Sequence, residues 1–363
     1  MSATHRPRPA VLGWLSLVAC LTRLLADSPA AAAGGAESAA APPPLVVASE
    51  SASVTVLVDD VPGAGDVAAP PTGQTLYVID EDGHGVVAVD PFDPGRRWMA
   101  IAAARTASPA DRSPVPTAIG CIDSATLALA CRLGNQWVLR THRLKPPGSA
   151  ADPAAPLQSL SLGTAAPADS PAAVQLAVSH SRNWLVVAGL PAPLPAVTRA
   201  AIEGARLAAA SPRHCPEIPS ALRPAAVSVS PFDELVLFVA PGAGGSAAET
   251  FLSFHSPLGP QRLLHVATGL TNVRDAAFCR GDGSLWVVAG EKGSETQPEG
   301  LWRIDAVMRE FRQAVQAVCV AKLPAPRSVV CLSERAIVVT HGTGPRRVVR
   351  IDPSPAVSGQ HQP

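Results

Sequence analysis

The sequence predicts an all-β fold, a six-bladed β-propeller closed by an N-terminal strand. Three observations predict it. A small-residue strand, a turn and an apolar strand recur in six copies at a spacing of about fifty residues. The apolar strands, such as LYVI from Leu76, LVLFV from Leu235 and LWVV from Leu285, lack polar alternation, which suits strands covered on both faces. The last copy is one strand short, and an unassigned strand stands before the first copy.

In chain order, the first element is a targeting segment. Arg6 and Arg8 precede an apolar run, Ala10 to Leu21, that is short for a bilayer span. The small residues Ala31-Ala32-Ala33 then offer a cleavage site, so residues 1–33 read as a signal peptide. An uncleaved anchor helix running on through Leu24-Leu25 is the alternative, and Arg23 interrupts it. Leu17-Val18-Ala19-Cys20 resembles a lipobox, so lipidation at Cys20 is a further alternative and the one route to a membrane. The expected location is therefore outside the cytoplasm: periplasmic, cell-surface or secreted. Residues 34–52, rich in Ala and Pro, read as a disordered linker.

The propeller is expected over 53–353. Ser53 to Asp59 reads as a fourth strand, with Val54, Val56 and Val58 alternating against Thr55 and Leu57. The copies then begin near Asp66, Thr117, Ala172, Pro224, Arg274 and Arg327. Each has room for the four short strands of one blade. In the first, Leu76–Ile79 and Val86–Val89 flank a turn at Glu81–Gly85, and Asp90-Pro91 ends the ladder. The third departs from the pattern: residues 190–217 are Pro-rich and read as a short helix or an irregular outer strand pair. The sixth runs out at Asp352-Pro353 after three strands, so Ser53–Asp59 is expected to complete it and remove the free edge. Residues 354–363 read as a disordered tail.

The phrases TLYVIDEDGHGVVAVDP, SVSPFDELVLFV and GDGSLWVVAG resemble the repeats of YVTN- and NHL-type bacterial propellers. That resemblance covers roughly 53–353. It implies the fold, and says little about activity.

Composition excludes some functions. Lys+Arg and Asp+Glu both number 29, so the chain carries no net charge and lacks the positive footprint that nucleic acid demands. No nucleophile elbow, HExxH or haem-attachment motif is present, so no catalytic residue and no cofactor is assigned. The acidic turn Asp80, Glu81, Asp82 and His84 does not match a calcium loop and reads as a hairpin turn. Pro241–Gly245 is Gly-rich without the Lys-Ser/Thr of a phosphate loop.

Seven cysteines occur, six of them beyond Cys20. A hairpin turning near Ser124-Ala125 places Cys121 opposite Ala128 and Cys131 opposite Ala118. That offset of three residues, roughly 10 Å, is too long for a Cys121–Cys131 disulfide.

Arg223, Arg274 and Arg327 each stand just before an innermost strand and should gather at one mouth of the central channel. There they would hold a carboxylate or phosphate, or else make inter-blade salt bridges with residues such as Asp275. The expected function is a non-catalytic binding or scaffold module for an unknown protein or a small anionic ligand. The alternative is a hydrolase like the sugar-lactonase propellers, which hold a metal in the channel through Glu, Asn and Asp. Asn272 and Asp275 stand near one entrance, without a Glu partner.

Overall fold

A computed structural model describes residues 46–47, 52–61, 63–102, 114–144, 155–165, 173–208, 213–215, 218, 224–239, 250–255, 264–309, 312–344 and 346–353. The described residues form six antiparallel blades and no helix. The segments expected to be a signal peptide and a tail, Arg223 and the Gly-rich segment 241–245 lie outside them, as does most of the expected linker.

Two short pieces precede the first blade: β1 (Val46–Val47) and β2 (Ala52–Val58). Blade 1 is β3 (Ala64–Ala68), β4 (Leu76–Asp80), β5 (Gly85–Val89) and β6 (Arg97–Ile101). Blade 2 is β7 (Val115–Cys121), β8 (Thr126–Leu133), β9 (Gln136–Arg143) and β10 (Gln158–Thr164). Blade 3 opens with β11 (Gln175–Val178), β12 (Trp184–Ala188) and β13 (Val197–Glu203). It is finished by two fragments, β14 (Arg206–Leu207) and β15 (Arg213–His214), which both pair with β13. The Pro-rich stretch thus makes an irregular outer edge rather than a helix.

Blade 4 is β16 (Pro224–Val229), β17 (Leu235–Val239), β18 (Phe251–His255) and β19 (Leu264–Ala267). Blade 5 is β20 (Asp275–Phe278), β21 (Leu285–Ala289), β22 (Gly300–Arg309) and β23 (Arg312–Lys322). Its outer edge takes a fifth strand: β1 pairs with β23 in parallel, Val46 against Val318. Blade 6 is β24 (Pro326–Ser333), β25 (Ala336–His341) and β26 (Arg347–Pro353), with β2 as its fourth strand.

Closure by β2 therefore holds. It runs antiparallel to β26 from Ala52↔Pro353 to Val58↔Val348, with an irregularity between Val56 and Val58. The alternation expected along it does not hold. Val54 and Val56 are 49% and 44% exposed, whereas Leu57 and Val58 are buried. An outermost strand lies at the rim, and the middle of β2 faces outward there. Its end joins Val61 and Val348, and at its start Ala52 packs against the cluster between blades 5 and 6.

The core explains the apolar runs. It is not one cluster but six, each lying between two neighbouring blades. Successive residues of one middle strand point into different clusters. Val236 and Phe238 of β17 meet blade 5, while Leu235 and Leu237 meet blade 3. Trp286 and Val288 of β21 meet blade 6, while Leu285 and Val287 meet blade 4. Every residue of such a strand is buried, so period-two alternation disappears.

An Arg-Ile-Asp triplet recurs in the third strands of blades 5 and 6, at Arg303–Asp305 and Arg350–Asp352. Arg303 donates to Asp305 at 2.7 and 2.8 Å, and its guanidinium lies over the Trp286 ring. Arg350 repeats this with Asp352, lies over Phe92, and donates to the Pro91 carbonyl of blade 1.

All six described cysteines carry free thiols. The β7–β8 register is one step from the expected one: Cys121 faces Leu127 and Cys131 faces Pro116, with an irregularity between Pro116 and Ala118. The extra residue at that irregularity carries Cys131 past Ala118 to Pro116, five positions from Cys121, so the two cysteines are further from bonding than expected.

Candidate functional site

The six innermost strands, β3, β7, β11, β16, β20 and β24, surround the central channel. A cavity of ≈ 160 Å³ there is bounded by Asp66 and Asp275 among its polar groups, with Leu176, Val227 and Phe278 among its apolar walls. In five of the six copies the inner strand carries a polar residue near its start: Asp66, Thr117, Gln175, Asp275 and Ser328.

Four of these reach across to a neighbouring blade, because their blades pack through side chains and share no backbone ladder there. Asp66 Oδ2 accepts the Ile119 N–H of blade 2 at 2.9 Å. Gln175 Oε1 accepts the Val227 N–H of blade 4 at 2.7 Å, and its amide nitrogen donates to the Arg274 carbonyl of blade 5. Asp275 Oδ2 accepts the Val329 N–H of blade 6 at 2.8 Å. Ser328 Oγ accepts the Val67 N–H of blade 1 at 3.3 Å. Thr117 instead donates to the Ala130 carbonyl within its own blade.

Ser328 is the meeting point. Its Oγ lies 2.5 Å from Asp66 Oδ1 and 2.9 Å from Asp275 Oδ2. Both carboxyls line the channel and are half-buried. Burial pushes Asp275 up to about 8, helped by the charge of Asp66; its bonds from Val329, Ser328 and Ala276 oppose the shift. Burial likewise pushes Asp66 up to about 6, against bonds from Ser328, Ile119 and Val67.

Around the same mouth stand three arginines. Arg274 ion-pairs with Glu299 at 2.6 Å and donates to the Pro326 carbonyl of blade 6. Arg346 ion-pairs with Glu81 of blade 1 and reaches the Gly63 and Ala64 carbonyls. Arg327 is exposed and makes no ion pair with a described residue. Partial burial and the charges of Arg346 and Arg274 pull its pKa down, against the pull of Glu81.

The expected site residues are thus placed as follows. Arg274 and Arg327 do come together at one mouth, and Arg223 lies outside the described residues. Arg274 makes the salt bridge and inter-blade contact, with Glu299 rather than Asp275 as its acid. Asp275 turns into the channel. Glu81 of the acidic turn serves Arg346, and Asp80 accepts the Gly83 N–H at 3.0 Å to close the turn. Asp66, Gln175 and Ser328 escaped the sequence reading. Their signal was the recurrent polar residue opening strands that otherwise read as small and apolar.

The residues do not fit the metal that lactonase propellers hold. All four oxygens of Asp66 and Asp275 already accept a backbone N–H, from Val67, Ile119, Ala276 and Val329. Among the described residues no three His, Cys, Asp or Glu side chains group to hold a metal ion.

At the opposite mouth, His180, Arg182 and Arg280 approach one another. Asp233 fixes the hairpin there by accepting the Ser181 N–H with both oxygens, at 3.0 and 3.2 Å. Burial first, then the charge of Arg182, lowers the pKa of Arg280; burial, then Arg280, lowers that of His180.

Fold and channel define the class: a six-bladed propeller with polar stitches around its channel. No family model matches the chain, and no curated protein matches it by sequence. Among solved structures it is similar to a glucose dehydrogenase, with a TM-score of 0.52 and 13% identity over 82% of this chain and 99% of that one. It is also similar to a gluconolactonase of Xanthomonas campestris, with a TM-score of 0.48 and 15% identity over 90% and 99% of the two chains. Hydrazine synthase of Kuenenia stuttgartiensis gives a TM-score of 0.48 and 15% identity over 77% and 74%. At such identities the likeness concerns the fold alone.

Proposed function

We propose that the chain is a non-catalytic binding module, acting outside the cytoplasm, whose channel mouth receives a small carboxylate- or phosphate-bearing ligand through Arg327. One observation carries this reading. Arg274 and Arg346 are each neutralised by a glutamate, whereas Arg327, set near both, has no described acid partner. A guanidinium held beside other cations without an acid partner is open to a bidentate carboxylate or phosphate. The YVTN- or NHL-type resemblance of the repeats agrees with a binding role, since such a ring presents a rigid mouth.

Calorimetric titration with sulfate tests it. Arg327→Ala should weaken sulfate binding about tenfold or more, since a charge-assisted contact contributes about 1.5–3 kcal/mol. Arg280→Ala, at the opposite mouth, should leave it unchanged. Loss with Arg280→Ala alone would move the site to the other mouth, and no binding by the wild type would end the reading.

The alternative, a lactonase-like hydrolase with a channel metal, has the fold in its favour and the committed carboxylate oxygens against it. A stoichiometric divalent cation in the purified protein would favour it.

A further inference from the structure

Ser328 carries one hydroxyl proton and stands within hydrogen-bond distance of two carboxyl oxygens, Asp66 Oδ1 at 2.5 Å and Asp275 Oδ2 at 2.9 Å. A hydroxyl donates one bond only. If both carboxyls were ionised, one of the two contacts would set a hydroxyl lone pair against a carboxylate in a half-buried site. If one carboxyl keeps its proton, the chain is satisfied throughout. Asp275 donates to Ser328 Oγ, and Ser328 donates to the Asp66 carboxylate.

The opposite direction of transfer also satisfies it, so the proton belongs to the three-residue bridge. The bridge adjoins the proposed anion mouth along the chain: Asp275 follows Arg274, and Ser328 follows Arg327.

We propose that the Asp66–Ser328–Asp275 bridge retains one proton at neutral pH, and that loss of this proton weakens anion binding at the channel mouth. The second half rests on the anion-binding reading above; the first does not. Loss of the proton adds a negative charge to residues adjacent in the chain to Arg274 and Arg327, and the two equilibria are then linked reciprocally. Of the other charged groups on this cavity, His180 and Arg280 stand at its opposite mouth, and burial lowers the pKa of both. Glu81 is held by Arg346 and Glu299 by Arg274. On β25, which pairs with β24, burial keeps His341 below the usual imidazole range. Cys121 on β7 and Cys331 on β24 are pushed far up by burial and stay neutral thiols.

Two measurements on the full chain test the two halves separately. The first is carboxyl-carbon NMR of the aspartate-labelled protein between about pH 5 and pH 9. The wild type should show one aspartate still protonated at pH 7, and Asp275→Asn should lack it. The bridge is wrong if every aspartate is ionised at pH 7, or if the protonated signal survives in both Asp275→Asn and Asp66→Asn. Should Asp275→Asn not fold, Asp66→Asn and the wild-type titration still decide.

The second is the sulfate affinity, since sulfate itself does not titrate in this range. It should fall about tenfold between pH 6 and pH 9 in the wild type, for one charge added at close range, and change less than about twofold in Asp275→Asn. Binding that ignores pH overturns the linkage. No binding at all overturns the anion reading and leaves the NMR result standing.

Discussion

Two seams of the ring solve the same problem with different chemistry. Where blades 5, 6 and 1 meet, the innermost strands are fastened by carboxyls and a serine: Asp275 to blade 6, and Ser328 and Asp66 between blades 6 and 1. Between blades 2 and 3 no carboxyl takes part among the described residues. At the channel, Gly120 of β7 leaves room for Leu176 and Val178 of β11, so the strands close by apolar contact. At the rim, Gln158 exchanges two hydrogen bonds with Leu207, 2.8 Å to its carbonyl and 2.9 Å from its N–H. The seams from blade 5 through blade 6 to blade 1, which include the one that joins the two ends of the chain, hold the titratable groups. The seam between blades 2 and 3 joins neighbours in sequence and uses neutral ones. The first should respond to pH and to loss of the N-terminal strand; the second should respond to neither.

The largest expected effect breaks the closing seam outright. Removing residues through Asp60 takes away β2 and the buried Leu57 and Val58. Each such side chain contributes roughly 1.5–3 kcal/mol before entropy is counted, so the loss should be several kcal/mol. Removal through Pro44 should cost little. Thermal unfolding of the two truncations side by side decides, and equal melting temperatures would refute closure by β2.

Next comes the dependence on pH. The folded pKa of Asp275 lies near 8 against an ordinary 3.8, so between these values the folded chain binds more protons than the unfolded one. Stability should therefore be highest near the low end of that window and fall as pH rises through it, by up to about 1.4 kcal/mol per pH unit for one group, then level off. Urea unfolding at pH 5 and pH 8 should show wild type losing stability relative to Asp275→Asn. A parallel course of the two proteins would refute it.

Gly120→Ala sharpens the contrast from the other seam. A Cβ there runs into Leu176 and Val178, so about 1–3 kcal/mol should be lost through overpacking, equally at both pH values. The smallest effect should be Gln158→Ala, about 1–2 kcal/mol for two hydrogen bonds at a part-buried rim, again without pH dependence. A pH-dependent loss in either variant would show the two seams to be coupled.

Much of the fold was legible because propeller physics is local. Each blade is built from consecutive hairpins, so Leu76–Asp80 and Gly85–Val89 announce themselves within fifteen residues. Burial on both faces writes an unbroken apolar run into every middle strand. The β7–β8 register slipped because the hairpin is centred on Ser124 rather than between Ser124 and Ala125, and again at the irregularity between Pro116 and Ala118; neither leaves a mark in composition. The orientation of β2 slipped for a related reason: valine suits an exposed rim strand as well as a buried one, so its spacing did not tell which side met a neighbour.

By itself the sequence determined the number of blades, the missing fourth strand of the last one and the segment that completes it, because repeat spacing and strand count are properties of the chain alone. Only the tertiary structure decided the site. Ser328 and Asp66 stand 262 positions apart, and Ser328 and Asp275 stand 53 apart, yet their oxygens meet at hydrogen-bond distance. Nothing local distinguishes Asp275, which enters the channel, from its neighbour Arg274, which turns to Glu299. Closing the ring stacks the inner strands side by side without a shared ladder, and the polar side chains that bridge them are chosen by that geometry.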